Sequence, residues 1–325
     1  MDRPVTWDRG RTSGLISLPT GQHVFVSVSG PDRQKNQPII LIIPGVACSI
    51  TEWVVVRRLL QQTSRVLVYE RSGMGASEES PLPRTASNLA RELNTLLQVL
   101  RIGPPYVIVC HSYGGIIARE FVELRREENK PEDGVAGIVF VEANQEKSIA
   151  LWPDPDLEAM SKGINWYDTT GLEMDRALTD SEWKAVTDER NSIKHQRAAE
   201  REMEHYIGSC MALGAKSQLG CRPPFLGNHP ISVLQGYPEK DLRRVFEVAV
   251  ERGNGSTEQR QRVENKLKMY PELNEKFQRE ILTLSTQHRY SDVKDCGHSI
   301  HIVEPEAISD EVEWVLNRLL ITKET

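Results

Sequence analysis

The sequence predicts an α/β fold: a mostly parallel, doubly wound sheet flanked by helices, with a helical cap inserted late in the chain. Three observations carry this expectation. The apolar runs at 39–43, 65–69, 106–110 and 135–141 are continuous rather than alternating, as strands covered on both faces are. Segments with helical spacing of apolar residues separate them. The residues with chemical potential fall just after these runs, where doubly wound sheets place their sites.

Taken in order, residues 14–28 read as a two-stranded opening that turns at Pro19-Thr20-Gly21. The run 39–43 leaves its strand through Pro44-Gly45. Leu89, Leu93, Leu96 and Leu100 mark one helix face, and Ile117, Phe121 and Leu124 mark another. Residues 145–228 break the rhythm: they are rich in Glu, Arg, Met and Trp, with a helical stripe at Ala199, Met203, Tyr206, Cys210 and Leu213. They are expected to cap a core made of residues 1–144 and 229–325. Trp152, Trp166, Tyr167, Trp183, Met203 and Met211 are candidate pocket walls, although the cap's own core needs such residues too. ISVLQG at 231–236 is a further strand. Residues 239–285 form a second helical extension, striped by Leu242, Val245, Phe246 and Ala249 and then by Leu273, Phe277, Ile281 and Leu284. Its charged runs read as solvated faces, and a homodimer surface there fits the pattern. A strand at 289–293 and a helix from Pro305, with Ile308, Val312, Val315 and Leu319 on one face, close the chain.

Composition narrows the function. The net charge of −6 points away from nucleic acid and anionic membranes and leaves a small-molecule substrate as the expected partner. No apolar stretch approaches the ~18 residues of a membrane span. The first twenty residues lack the apolar core of a secretory signal. Five widely spaced cysteines, an odd number, fit reduced thiols in a cytoplasmic compartment. His298 and His301 are spaced too closely for an i, i+4 metal pair and have no companion, so neither metal nor cofactor is expected.

The strongest chemical signal is VIVCHSYGG at 107–115. An apolar run enters a serine followed by two glycines, the pattern of a strand–turn–helix elbow that holds Ser112 above a sheet. Cys110 stands where such turns usually carry glycine. Tyr113 offers its backbone N–H to an oxyanion, and His111 is expected to point elsewhere. A serine nucleophile needs a base. His298, on a loop between the last strand and last helix, is the best placed, and His301 is the runner-up. The third group should be a carboxylate at the end of another central strand. Glu142, directly after GIVFV, is the first choice, with Glu239 and Asp241 after the 231–236 run as competitors. Gly45 allows close approach beside the serine, and Val46 would present the second oxyanion N–H.

These motifs resemble the α/β-hydrolase family. IPGVACSITEW (43–53) resembles its oxyanion-loop region, and VYERSGMGAS (68–77) its Asp-Arg-x-Gly-x-Gly-x-Ser turn with Glu70 in place of Asp. CHSYGG (110–115) resembles its elbow, and GHSIHIVEPE (297–306) its histidine loop. The order Ser, acid, His also agrees, and the resemblance covers about 20–145 and 229–320. Val139-Phe140-Val141-Glu142 is similar to the Val-Leu-Val-Asp of a subgroup whose acid follows the strand after the elbow helix, as Gln278 to Ser285 is similar to that subgroup's segment before the histidine strand. This resemblance favours Glu142 over Asp241. Cys110, Pro44 and Glu142 are the departures. The resemblance implies a serine hydrolase cleaving an ester, thioester or lactone of an apolar small molecule through an acyl-enzyme, without a cofactor. Similar patterns occur in hydrolases of fungal secondary-metabolite pathways. The same fold also runs lyase, cyclase and C–C bond chemistry, or serves as a ligand-binding receptor. Epoxide and haloalkane hydrolases are disfavoured, because those classes place Asp where Ser112 stands.

Overall fold

A computed structural model describes residues 7–128 and 134–324 of the chain. The first six residues of the stretch read for a secretory core lie outside them.

The opening hairpin pairs β1 (Thr12–Ser17) with β2 (His23–Ser29) across a turn closed by the Leu18 N–H on the Gln22 carbonyl at 2.9 Å. The apolar runs form β3 (Ile39–Ile43), β4 (Arg65–Tyr69), β5 (Tyr106–His111), β6 (Val135–Val141) and β7 (Ile231–Gln235), and the chain adds β8 (His288–Asp292). Among the described residues the strands make one eight-stranded sheet, ordered β1-β2-β4-β3-β5-β6-β7-β8. Its β1–β2 and β2–β4 pairs are antiparallel and the rest are parallel. This is the α/β-hydrolase fold.

The reason for the continuous apolar runs is visible in the packing. Leu41, Ile43 and Ile108 share one buried cluster with Leu89, Leu93, Ile117 and Phe121, from α2 (Ala86–Leu100) and α3 (Gly114–Glu127). Ile40, Ile42 and Val107 face the other way, onto Val56 of α1 (Val54–Leu60) and Val312 of α12 (Pro305–Glu324). Both faces of each central strand are covered, so both alternating sets must be apolar.

Between β6 and β7 lie α4 (Pro155–Met160), α5 (Trp166–Thr170), α6 (Leu172–Asp175), α7 (Asp180–Arg190) and α8 (Ile193–Ala215). Between β7 and β8 lie α9 (Pro238–Glu251) and α10 (Thr257–Ile281), and a short α11 (Ile300–Val303) precedes α12. The two helical excursions are packed together. Leu157 and Met160 of α4 share a buried cluster with Val245, Phe246 and Ala249 of α9 and Val263 and Leu267 of α10. The first of the 239–285 stripes therefore buries against the first excursion, a use that periodicity within either segment does not reveal, while Ile281 and Leu284 of the second join the core of the sheet.

Candidate active site

The elbow is built from backbone strain and small neighbours. β5 delivers the chain to Ser112, whose φ is 52°, a left-handed conformation that costs a non-glycine residue of order 1–3 kcal/mol. Its carbonyl accepts from the N–H groups of Gly115 (2.9 Å) and Asn144 (2.8 Å), which ties the turn to the end of β6. A Cβ at Gly114 would clash with the Ile43 carbonyl, and one at Gly115 would come within 2.8 Å of the Asn144 carbonyl. Cys110 fits where glycine was expected: it is fully buried, with Sγ 3.6 Å from the Val139 carbonyl oxygen.

His298 follows β8 on a loop fixed through its main chain. Its N–H donates to Asp241 Oδ2 at 2.9 Å, and its carbonyl accepts from His111 Nε2 at 3.0 Å. The imidazole lines a cavity of about 230 Å³ together with Ser112, Asp241 and Val46. Burial first, then the nearby His301, pushes the His298 pKa down to about 4, so the ring is a neutral base at physiological pH. Among the described residues no hydrogen bond joins this ring to Ser112 or to a carboxylate; such contacts commonly tighten only when substrate arrives.

The three carboxylates considered for the acid are placed differently. Glu142 is buried and turned to the side, with Oε2 accepting from the Gly236 N–H at 2.6 Å and Oε1 from Asn274 Nδ2 at 3.0 Å. It is not among the residues lining the cavity. Burial raises its pKa to about 8 despite those two donors. Asp241 lines the cavity and holds the His298 main chain. Burial raises its pKa as well, and the His298 N–H offsets part of the rise. Glu239, in the first turn of α9, is absent from the cavity lining. The geometry thus brings Ser112, His298 and Asp241 together and leaves Glu142 fastening α10 to the end of β6.

Of the two residues expected at the oxyanion hole, Val46 lines the cavity with Ser112, and Tyr113 follows the serine at the start of α3. Among the described residues neither backbone N–H has an acceptor. A Cβ on Gly45 would lie 3.0 Å from Ser112 Cβ, which shows how closely this loop passes the serine.

His301 lies in the cavity floor, committed elsewhere. It stacks on Trp53 at a centroid distance of 4.7 Å, and its Nε2 is 3.5 Å from Glu52 Oε2. Arg190 of α7 grips both oxygens of Glu52, at 3.0 and 2.5 Å. Burial would raise the Glu52 pKa, but Arg190 and His301 hold it well below the usual range. Cys48, Glu52 and His301 bring ligand atoms within 4.8 Å of one another, the spacing of a metal site. As a donor set they fit poorly, because a guanidinium occupies the carboxylate and burial pushes the Cys48 thiol far up.

Of the candidate walls, Trp152, Trp166 and Tyr167 line this cavity. Met203 lines a neighbouring cavity of about 460 Å³, which shares Val46, Trp152, Trp166, Leu242 and Tyr270 with the first. Trp183 is mainly buried against Leu172 and Val186, and Met211 is 64% exposed. Sequence reasoning missed three participants. His111 was expected to point away, yet it lines the cavity and holds the His298 carbonyl. Arg190 belongs to none of the sequence motifs. Glu202, buried on α8 with its two oxygens on Arg71 Nε and Nη2 at 2.7 and 2.8 Å, carries no mark in the sequence.

This sheet, with a strained serine after its fifth strand, defines an alpha/beta hydrolase. The model of the Alpha/beta hydrolase family matches residues 40–311, and the chain belongs to that family. It is 35% identical to an AB hydrolase superfamily protein of Gibberella zeae, across 97% of this chain and 99% of that one. A haloalkane dehalogenase DbeA-M1 loop variant from Bradyrhizobium elkanii superposes with a TM-score of 0.65 at 15% identity, covering 97% and 99% of the two chains. A serine hydrolase involved in carbazole degradation superposes with a TM-score of 0.60 at 17% identity, covering 95% and 99%. At these identities the structural likeness is one of fold. Among the described residues no helix is long and apolar enough to cross a membrane.

Proposed function

We propose that this protein is a serine hydrolase that cleaves an ester, thioester or lactone carrying an apolar group. The observation that carries the reading is the strained Ser112 facing a cavity shared with His298 and Asp241, beside two N–H groups without acceptors. Ser112 Oγ attacks the carbonyl carbon while its proton passes to His298. The Val46 and Tyr113 N–H groups take the oxyanion. The tetrahedral intermediate collapses, the leaving alcohol or thiol takes the proton from His298, and water repeats the sequence to release the acid. Asp241 is our acid in place of Glu142. It already holds the His298 loop and lines the same cavity as the ring, whereas Glu142 is bound to Gly236 and Asn274.

Residues 145–228 act as the cap, with α9 and α10 completing the roof. The apolar arm of the substrate runs past Trp152 and Trp166 into the second cavity, among Leu151, Leu157, Val263 and Leu267. All five cysteines are unpaired, which supports a cytoplasmic location. An alkyl fluorophosphonate tests the reading: Ser112 Oγ would displace fluoride from phosphorus, and the adduct would be found on that residue by mass spectrometry. Ser112→Ala should abolish both the adduct and p-nitrophenyl butyrate turnover. Equal turnover by the variant would exclude Ser112 as nucleophile.

A further inference from the structure

We propose that helix α8 of the insertion sets the oxyanion loop in its working conformation, with Glu202 and His195 as positioning residues. The inference rests on Val46 being an oxyanion donor.

After β3, four main-chain polar groups of residues 44–47 are claimed by side chains. Arg71 Nη1 donates to the Pro44 carbonyl at 2.9 Å, and Nη2 donates to the Gly45 carbonyl at 2.6 Å. The Ala47 N–H donates to Glu202 Oε2 at 3.0 Å, and the Ala47 carbonyl accepts from His195 Nε2 at 3.1 Å. Among the described residues the Gly45 and Val46 N–H groups are the amide protons of this stretch left without an acceptor, Pro44 having none to give. The Gly45 carbonyl and the Val46 N–H belong to one planar trans peptide, so they point in opposite directions. By drawing the carbonyl toward itself, Arg71 aims the N–H away, on the side where the loop lines the cavity.

Arg71 is held in turn by α8. Its Nε and Nη2 meet the two oxygens of Glu202 at 2.7 and 2.8 Å, and both side chains are about 1% exposed. Burial opposes the charge on Glu202, but the guanidinium holds its carboxyl below the usual range. Ala47 has φ 52°, an unfavourable region for alanine that persists only where the surroundings over-determine it. Both grips on Ala47 come from α8. The other donor residue is tied to the same helix, because the Tyr113 hydroxyl donates to Ser209 Oγ at 3.0 Å. One helix of the insertion therefore fastens both halves of the hole, and its docking assembles the site rather than merely covering it.

The test compares Glu202→Gln, His195→Phe and a control, Arg201→Gln, which breaks only the surface pair with Glu79. The readouts are kcat and KM for p-nitrophenyl butyrate, the rate of alkyl fluorophosphonate labelling, thermal melting, and hydrogen exchange of the 44–52 segment. Glu202→Gln should lower kcat and the labelling rate about 10²-fold, the cost of losing one oxyanion donor, with KM changed less than about twofold. His195→Phe should lower them by about tenfold and melt normally, and Arg201→Gln should match wild type. Exchange in 44–52 should speed up about tenfold or more in the first two variants. Wild-type kcat in folded Glu202→Gln overturns the proposal, as does unchanged exchange in both Glu202→Gln and His195→Phe. If Glu202→Gln does not fold, His195→Phe decides alone. The exchange arm reads the loop whether or not Ser112 proves to be the nucleophile, so failure of this inference is separable from failure of the hydrolase reading.

Discussion

Replacing Glu70 by glutamine is expected to remove a downward slope from the protein's stability as pH rises. Glu70 is buried just after β4, where burial first and the charge of Glu189 on α7 second push its pKa from 4.5 up to about 8. The Ser49 hydroxyl lies 3.0 Å from Glu70 Oε1 and 2.7 Å from Glu189 Oε2, and its one proton can serve only one of them. The Ile50 N–H, at 3.4 Å, and the neighbouring Arg71 offset part of the rise. The folded protein thus retains a proton that the unfolded chain releases near pH 4.5. Because the folded pKa is the higher one, the stabilisation is complete below pH 4.5 and is lost as pH climbs to about 8. Within that window each pH unit removes about 1.4 kcal/mol, or about 5 kcal/mol across it. Urea unfolding of wild type and Glu70→Gln at pH 5, 6, 7 and 8 isolates this contribution. The lowered histidines and the raised Glu142 titrate in both proteins, so the difference between the two profiles belongs to Glu70. The difference should grow in favour of the variant by about 1.4 kcal/mol per pH unit, and Glu189→Gln should reproduce part of it. Parallel profiles for Glu70→Gln and wild type would refute the reasoning.

Asp241→Ala should slow fluorophosphonate labelling of Ser112 by about 10³–10⁴-fold. Glu142→Ala should slow it less than about tenfold while lowering stability by about 1–3 kcal/mol, because the Gly236 N–H loses its acceptor; the reverse ranking would return the acid role to Glu142. Since His298 must be neutral to accept the serine proton, kcat/KM should rise with pH through about 4 and stay level through neutrality, as steady-state rates over pH 3.5–8 would show. Leu267→Trp, which fills the second cavity, should cut turnover of p-nitrophenyl decanoate relative to the butyrate by about tenfold, and an unchanged ratio would remove that cavity from the substrate path.

The sheet was legible in the sequence because strands covered on both faces must be apolar throughout, and the runs ending at Ile43, Tyr69 and Val141 coincide with strand ends. The elbow was legible because the close passage of Ile43 past Gly114 leaves no room for a side chain. The placing of the two carboxylates was not. Glu142 and Asp241 each follow a central strand, and only the path of the chain decides which carboxylate turns inward; Glu142 has φ 39° and is drawn to Gly236. Glu202 was illegible for another reason: its partner Arg71 lies 131 residues away, and a buried ion pair at that separation leaves no periodic trace. The charged runs of 239–285 read as solvated on composition alone, yet Asn274 and Gln278 of α10 are buried and bonded to the core.

Ala47, Ser112 and Glu142 adopt left-handed conformations beyond the carboxyl ends of β3, β5 and β6, all along one edge of the sheet. Glycine at Ala47 or Ser112 would relax the chain, and relief of this kind is worth about 1 kcal/mol, whereas at Glu142 it would strip the Gly236 N–H of its acceptor. Were Ser112 the nucleophile proposed above, heat resistance would be most easily gained where activity is lost. A lineage selected for thermal endurance alone would drift toward a sturdier but inert scaffold.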